Sequence, residues 1–109
     1  MSSGPHPRSR SPKSTLLLAG FLLASCARRM PPHATALDAQ RANVELGQLE
    51  EGRSLVVAKC GSRCHKPPLP TDHVRADWPK TLDVMGPRAN LTPQDRHLIE
   101  QYMVAMTVR

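Results

Sequence analysis

Two thiols and an imidazole fall within the six residues 60–65 of the segment "KCGSRCHK": Cys60, Cys64 and His65. No other short stretch limits the fold as strongly, because the chain around it has little apolar bulk with which to close a core. One Trp, one Tyr and one Phe occur in 109 residues, and Phe21 lies in an N-terminal stretch that is not part of the domain. About sixty residues remain to fold, and domains of that size usually draw on a disulfide, a metal or a cofactor. A structural zinc site takes four ligands; His73 and His97 are the remaining candidates, and the usual paired-cysteine spacing is absent. A disulfide suits an oxidising compartment but leaves His65 without a role and adds little core. Covalent haem uses all three groups: the thiols add across the vinyl groups and the adjacent histidine binds iron. The ordinary linker between the thiols is two residues, whereas here it is Gly61, Ser62 and Arg63. One residue must bulge outward, which Gly61 and Ser62 allow at low cost.

Residues 1–14 carry Arg8, Arg10 and Lys13 and no acid, and a short apolar run follows, ending in small residues. That is the layout of a secretory signal; the run falls short of the ~20 residues that a lipid-spanning helix needs. At its end, Leu23-Ala24-Ser25-Cys26 resembles the lipobox of bacterial lipoproteins. The resemblance implies cleavage before Cys26, acylation of Cys26, and a lipid-anchored place on the periplasmic side of the cell envelope. Ala27 in the next position implies the outer membrane rather than the inner. The anchor accounts for the odd third cysteine, and several acyl chains hold far more firmly than one. The expected plan is a signal peptide at 1–25, a lipidated N-terminus with flexible tether and helix lead-in at 26–46, and the folded domain at 47–109. Loss of the signal lowers the net charge from +6 to about +3, with 12 basic and 9 acidic residues left. No block of like charge and almost no aromatic residues accompany them, so nucleic acid is not an expected partner.

Residues 27–38 are rich in Pro, Ala and charge and read as the tether. Asp38 to Lys59 reads as helix, with Leu46, Leu49, Val56 and Ala58 at roughly helical spacing. Gly47 and Gly52 each cost about 1 kcal/mol relative to Ala there, so each needs a packing reason or marks a break. The prolines at 67, 68 and 70 exclude a helix in that loop. A short helix is expected from Asp77 to Met85, with Trp78, Leu82 and Met85 on one side and Gly86-Pro87 as its stop. Thr92 and Pro93 open a terminal helix with Leu98, Ile99, Tyr102 and Met106 as its apolar stripe. The expected fold class is all-α, three or four helices with no strand.

Over roughly residues 47–106 the chain resembles the small monohaem cytochromes c. That family carries a glycine eight positions before the first cysteine, which lets the N-terminal helix press against the C-terminal one; Gly52 stands there. Val56 occupies the position of a bulkier residue four before the cysteine, and Ile99 and Tyr102 match the aliphatic–aromatic pair of the last helix. The resemblance implies one covalent haem c on Cys60 and Cys64, with His65 as proximal iron ligand and Met85 as sixth ligand. Met103, Met106, His73 and His97 are the other candidates, and an open sixth position is a further alternative. It also implies a proline carbonyl, of Pro68 or Pro70, holding the proximal imidazole, and Trp78 either packing in the core or turning its indole N–H to a propionate. The implied activity is one-electron transfer and not enzymatic catalysis, with a redox partner whose acidic surface meets Lys59, Arg63, Lys66 and Arg88. A five-coordinate haem sensor or peroxidase-like protein, and a disulfide-containing envelope lipoprotein without haem, are the alternatives.

Overall fold

The structure, a computed structural model, describes residues 3–5, 29–61 and 66–107. The signal peptide, Cys26, Ser62, Arg63, Cys64 and His65, for which the sequence carries specific expectations, lie outside the described residues. Among the described residues the chain is helical, with no strand: α1 (Ala36–Ala42), α2 (Leu46–Leu55), α3 (Trp78–Arg88) and α4 (Pro93–Met106). A π-helical turn, Val56–Cys60, extends α2, and two 3-10 turns, Pro70–Asp72 and Arg75–Asp77, lead into α3. No described helix is long and apolar enough to cross a membrane.

The frame is the crossing of α2 and α4, the most extensive contact between elements. Gly52 sits at its centre: a Cβ built there would stand 2.2 Å from the Leu98 carbonyl oxygen and 2.8 Å from Tyr102 Cβ. Only a hydrogen fits, which is the packing reason its helix-weakening glycine requires. Gly47 has no such reason, since a Cβ there would meet nothing within 4 Å. Around the crossing, Leu49 and Val56 from the α2 side bury against Leu98, Ile99, Tyr102 and Met103 of α4, and Trp78 and Leu82 of α3 complete the core.

Helix ends depart from expectation at two places, for one reason. The single helix expected over 38–59 is two helices, broken at Asn43, whose φ of 53° is left-handed. Asn43 N–H donates to Gln40 O and Val44 N–H to Ala39 O, the paired bonds of a Schellman closure. Helix α3 likewise runs through Gly86-Pro87 and ends at the second left-handed residue, Asn90 (φ 58°). There Asn90 N–H donates to Pro87 O and Leu91 N–H to Gly86 O. Pro87 forgoes only the bond to Asp83, on the exposed side of the last turn, so it ends nothing. The N-termini match the sequence closely at α4, where Thr92 and Asp95 form a reciprocal capping box behind Pro93.

The described part of the expected tether is docked against the domain. Pro31 is buried, and four bonds strap residues 31–34 over the crossing. Arg53 Nε donates to Pro31 O (2.8 Å) and Tyr102 Oη to Pro32 O (2.5 Å). Glu50 accepts from Ala34 N–H (2.6 Å) and faces His33 Nδ1 (2.7 Å). Helix α1 follows directly, started by a Thr35–Asp38 capping box. The domain therefore begins near Pro31, not at 47. Pro, Ala and charge read as a linker because the carbonyls that do the docking belong to every residue and leave no mark in composition.

Candidate functional site

Three of the apolar elements turn side chains toward one space. Trp78, Leu82 and Met85 stand at i, i+4 and i+7 on α3, Ile99 and Met103 at i and i+4 on α4, and Cys60 at the end of the π-helical turn. With Pro68 and Leu91 they line a cavity of about 480 Å³, and among the described residues its one charged lining side chain is Arg88 at the exposed end of α3. A second cavity of about 390 Å³ is lined by Arg29, Lys66, Pro67, Leu69, Asp72 and His73, and it shares Pro68 and Met85 with the first. Pro68 and Met85 thus stand where the two spaces adjoin.

Cys60 reaches the wall by way of the widened turn. Gly61 N–H donates to Val56 O (3.0 Å), five residues back, instead of to Val57 four back. Such π turns are uncommon and cluster at functional sites. A π turn takes more residues per turn than an α turn, so each advances less about the axis and Cys60 falls at a different angle than an unbroken α2 would give it. Gly61 keeps an ordinary right-handed conformation, φ −67°. Its glycine answers a close approach: a Cβ would lie 2.5 Å from the Val57 carbonyl oxygen.

The other candidates sort by position. Met103 is fully buried and lines the main cavity. Met106 lies on another face, in a groove with Arg41 and Arg75. His73 is exposed, lines the second cavity, and sets its ring edge-on to Trp78, centroids 5.0 Å apart. His97 is exposed and lines neither space. Among the described residues no three His, Cys, Asp or Glu side chains group as a metal site.

Of the two expected readings of Trp78, core packing is the one seen, and its N–H is turned inward to the chain itself. The indole is 1% exposed, and Nε1 donates to Pro70 O (3.1 Å) and Thr107 Oγ1 (3.0 Å). Thr107, buried just past α4, also faces Pro70 O (2.9 Å) and Met103 O (2.5 Å). This knot ties the proline loop to the chain's last described turn. A lone threonine beyond a helix carries no sequence signal, so its part was not legible beforehand. The Pro70 carbonyl is taken by Trp78 and Thr107, whereas Pro68 lines both cavities.

Electrostatics around the site are local. Lys59, one of the cations expected around a docking edge, pairs with Asp95 at the start of α4. The Lys59 ammonium, then the Thr92 N–H, hold the Asp95 carboxyl below the usual carboxylate range. Glu50 is lowered likewise, by His33 first and the Ala34 N–H next. Burial pushes the Tyr102 phenol well up, against a smaller opposing pull from Arg53. Comparison with family models, with curated proteins and with solved structures finds no match to the chain.

Proposed function

We propose that this protein is a lipid-anchored, periplasm-facing carrier of single electrons of the monohaem cytochrome c kind. In this reading haem c is attached at Cys60 and Cys64 and its iron is ligated by His65 and Met85. The observation that carries it is the apolar cavity that has Cys60 and Met85 in one lining. Its size falls in the ~300–1,000 Å³ range of cofactor and ligand pockets. The fit is chemical as well: aliphatic, aromatic and thioether side chains suit a flat apolar ring. Among the described residues the one buried side-chain atom without a partner, Gln101 Oε1, does not belong to this lining. Gly52 at the α2–α4 crossing and the fully buried Val56, Ile99 and Tyr102 support a cytochrome c-like arrangement of the helices.

The group supplies an Fe(II)/Fe(III) couple. The chain's own residues do the rest. Trp78, Leu82, Ile99 and Met103 exclude water, and the Pro68 carbonyl is the acceptor that orients the His65 imidazole. The Met85 thioether, a soft ligand, favours the reduced state and raises the potential. Arg88, exposed beside the main cavity, offers a cation to carboxylates of the group and to an acidic redox partner.

The test is the chain matured in a host competent to attach haem. One haem per chain is expected, read by an alkaline pyridine difference spectrum and intact mass. A colourless, folded product unmodified at Cys60 and Cys64 would refute the proposal. Replacing Met85 by Ala is expected to abolish the far-red sulfur-to-iron band of the oxidised protein and lower its potential. Met103→Ala is expected to keep the band, and the reverse outcome would move the sixth ligand to α4.

A further inference from the structure

The strap changes what the lipid anchor does. Four residues lie between Cys26 and Pro31, the first buried residue of the described strap, so five Cα–Cα steps join them. Fully extended they reach no more than about 18 Å, whereas a domain of some seventy-five residues is about 30 Å across. An acylated Cys26 therefore tethers one end of the domain against the lipid and keeps its far side away.

The surface at that end has the chemistry a lipid interface accepts. Arg29 pairs with Asp72 across 3.5 Å, joining the strap to the first 3-10 turn. Arg29 and Lys66 line the second cavity together. Met30 follows Arg29 in the chain and Val74 stands two residues beyond Asp72, and both are large apolar side chains left exposed, at 46% and 56%. Basic residues beside exposed apolar ones are the composition of an anionic membrane contact.

We infer that the face formed by Arg29, Met30, Lys66 and Val74 rests on an anionic phospholipid surface, with the anchor at Cys26 holding it there. This rests on the proposed lipoprotein reading and deepens it: the anchor fixes orientation as well as location. The second cavity, which shares Met85 and Pro68 with the main one, then opens beside the bilayer. Electron exchange on that side is with a partner held at the membrane.

The test is hydroxyl-radical footprinting of the acylated full chain on vesicles with and without phosphatidylglycerol, with intact mass read on the same sample. Met30 and Val74 are expected to be protected by about threefold or more on anionic vesicles, and less in ~1 M salt, where screening shortens to ~3 Å. Leu37, Leu46 and Val84, exposed elsewhere, are expected to react unchanged. Arg29→Glu with Lys66→Glu is expected to remove the protection while acylation persists. Equal reactivity of all five residues on an acylated chain overturns the face assignment and leaves the anchor standing. A chain carrying no acyl mass at Cys26 overturns both together.

Discussion

Gly52 and Gly47 lie five positions apart on one helix and have opposite meanings. A methyl group at Gly52 would collide with the Leu98 backbone carbonyl at 2.2 Å, and backbone, unlike a flexible side-chain tip, gives way only if α2 and α4 move apart. Gly52→Ala is therefore expected to destabilise by about 1–3 kcal/mol, the cost of overpacking. Gly47→Ala meets nothing within 4 Å and is expected to stabilise by up to about 1 kcal/mol through helix propensity. Denaturant midpoints of the two variants measure the difference. Equal shifts of the same sign would show that the crossing is not as close as described. At this scale the sequence spoke clearly wherever a residue type has a single use. Thr92 before Pro93 and the helical spacing of Trp78, Leu82 and Met85 were legible for that reason. Asn43 and Asn90 were not, because asparagine tolerates left-handed backbone without demanding it, and Gly86-Pro87 nearby looked the stronger stop.

Elements are joined mainly through side-chain to backbone bonds, which composition does not advertise. The strap over residues 31–34 and the Trp78–Pro70–Thr107 knot both use carbonyls as acceptors, so neither could be foreseen from residue types. The Lys59–Asp95 pair is an exception, since two side chains join the π-helical turn to the start of α4. Its contribution has a definite pH dependence. The folded Asp95 pKa is lowered, by Lys59 first, so the stabilisation is present above the unfolded carboxyl's value of ~4. It is lost as pH falls through the lower folded value. Below that window both states are protonated and nothing remains. Asp95→Asn is expected to flatten this part of the acid limb while leaving the neutral-pH fold intact, measured by unfolding midpoints between pH 6 and 2. An unchanged acid limb would assign it to other carboxylates, of which Glu50 and Asp38 are also lowered.

The whole molecule has a core in which Cys60, Trp78, Leu82, Ile99 and Met103 are buried and also line the main cavity. They pack on one another and also face about 480 Å³ that the described residues do not fill. At ~24 cal/mol per Å³, a dry, enclosed cavity of this size would cost about 12 kcal/mol, as much as a typical domain's entire stability of about 5–15 kcal/mol. The cavity is open to solvent, so the figure is an upper bound. On the proposed reading the bound group fills this space, for which one Trp and one Tyr in the core supply little bulk. Cys60→Ser with Cys64→Ser removes covalent attachment at nearly constant volume. The double variant purified without the group is therefore expected to retain helical far-UV dichroism while losing the near-UV signal of Trp78. It is also expected to bind hydrophobic dye and to unfold over a broad range, the signs of a loosened core. A sharp, cooperative transition with a native Trp78 signal would mean that α2, α3 and α4 hold the space open unaided, and the case for a resident cofactor would lose its energetic ground.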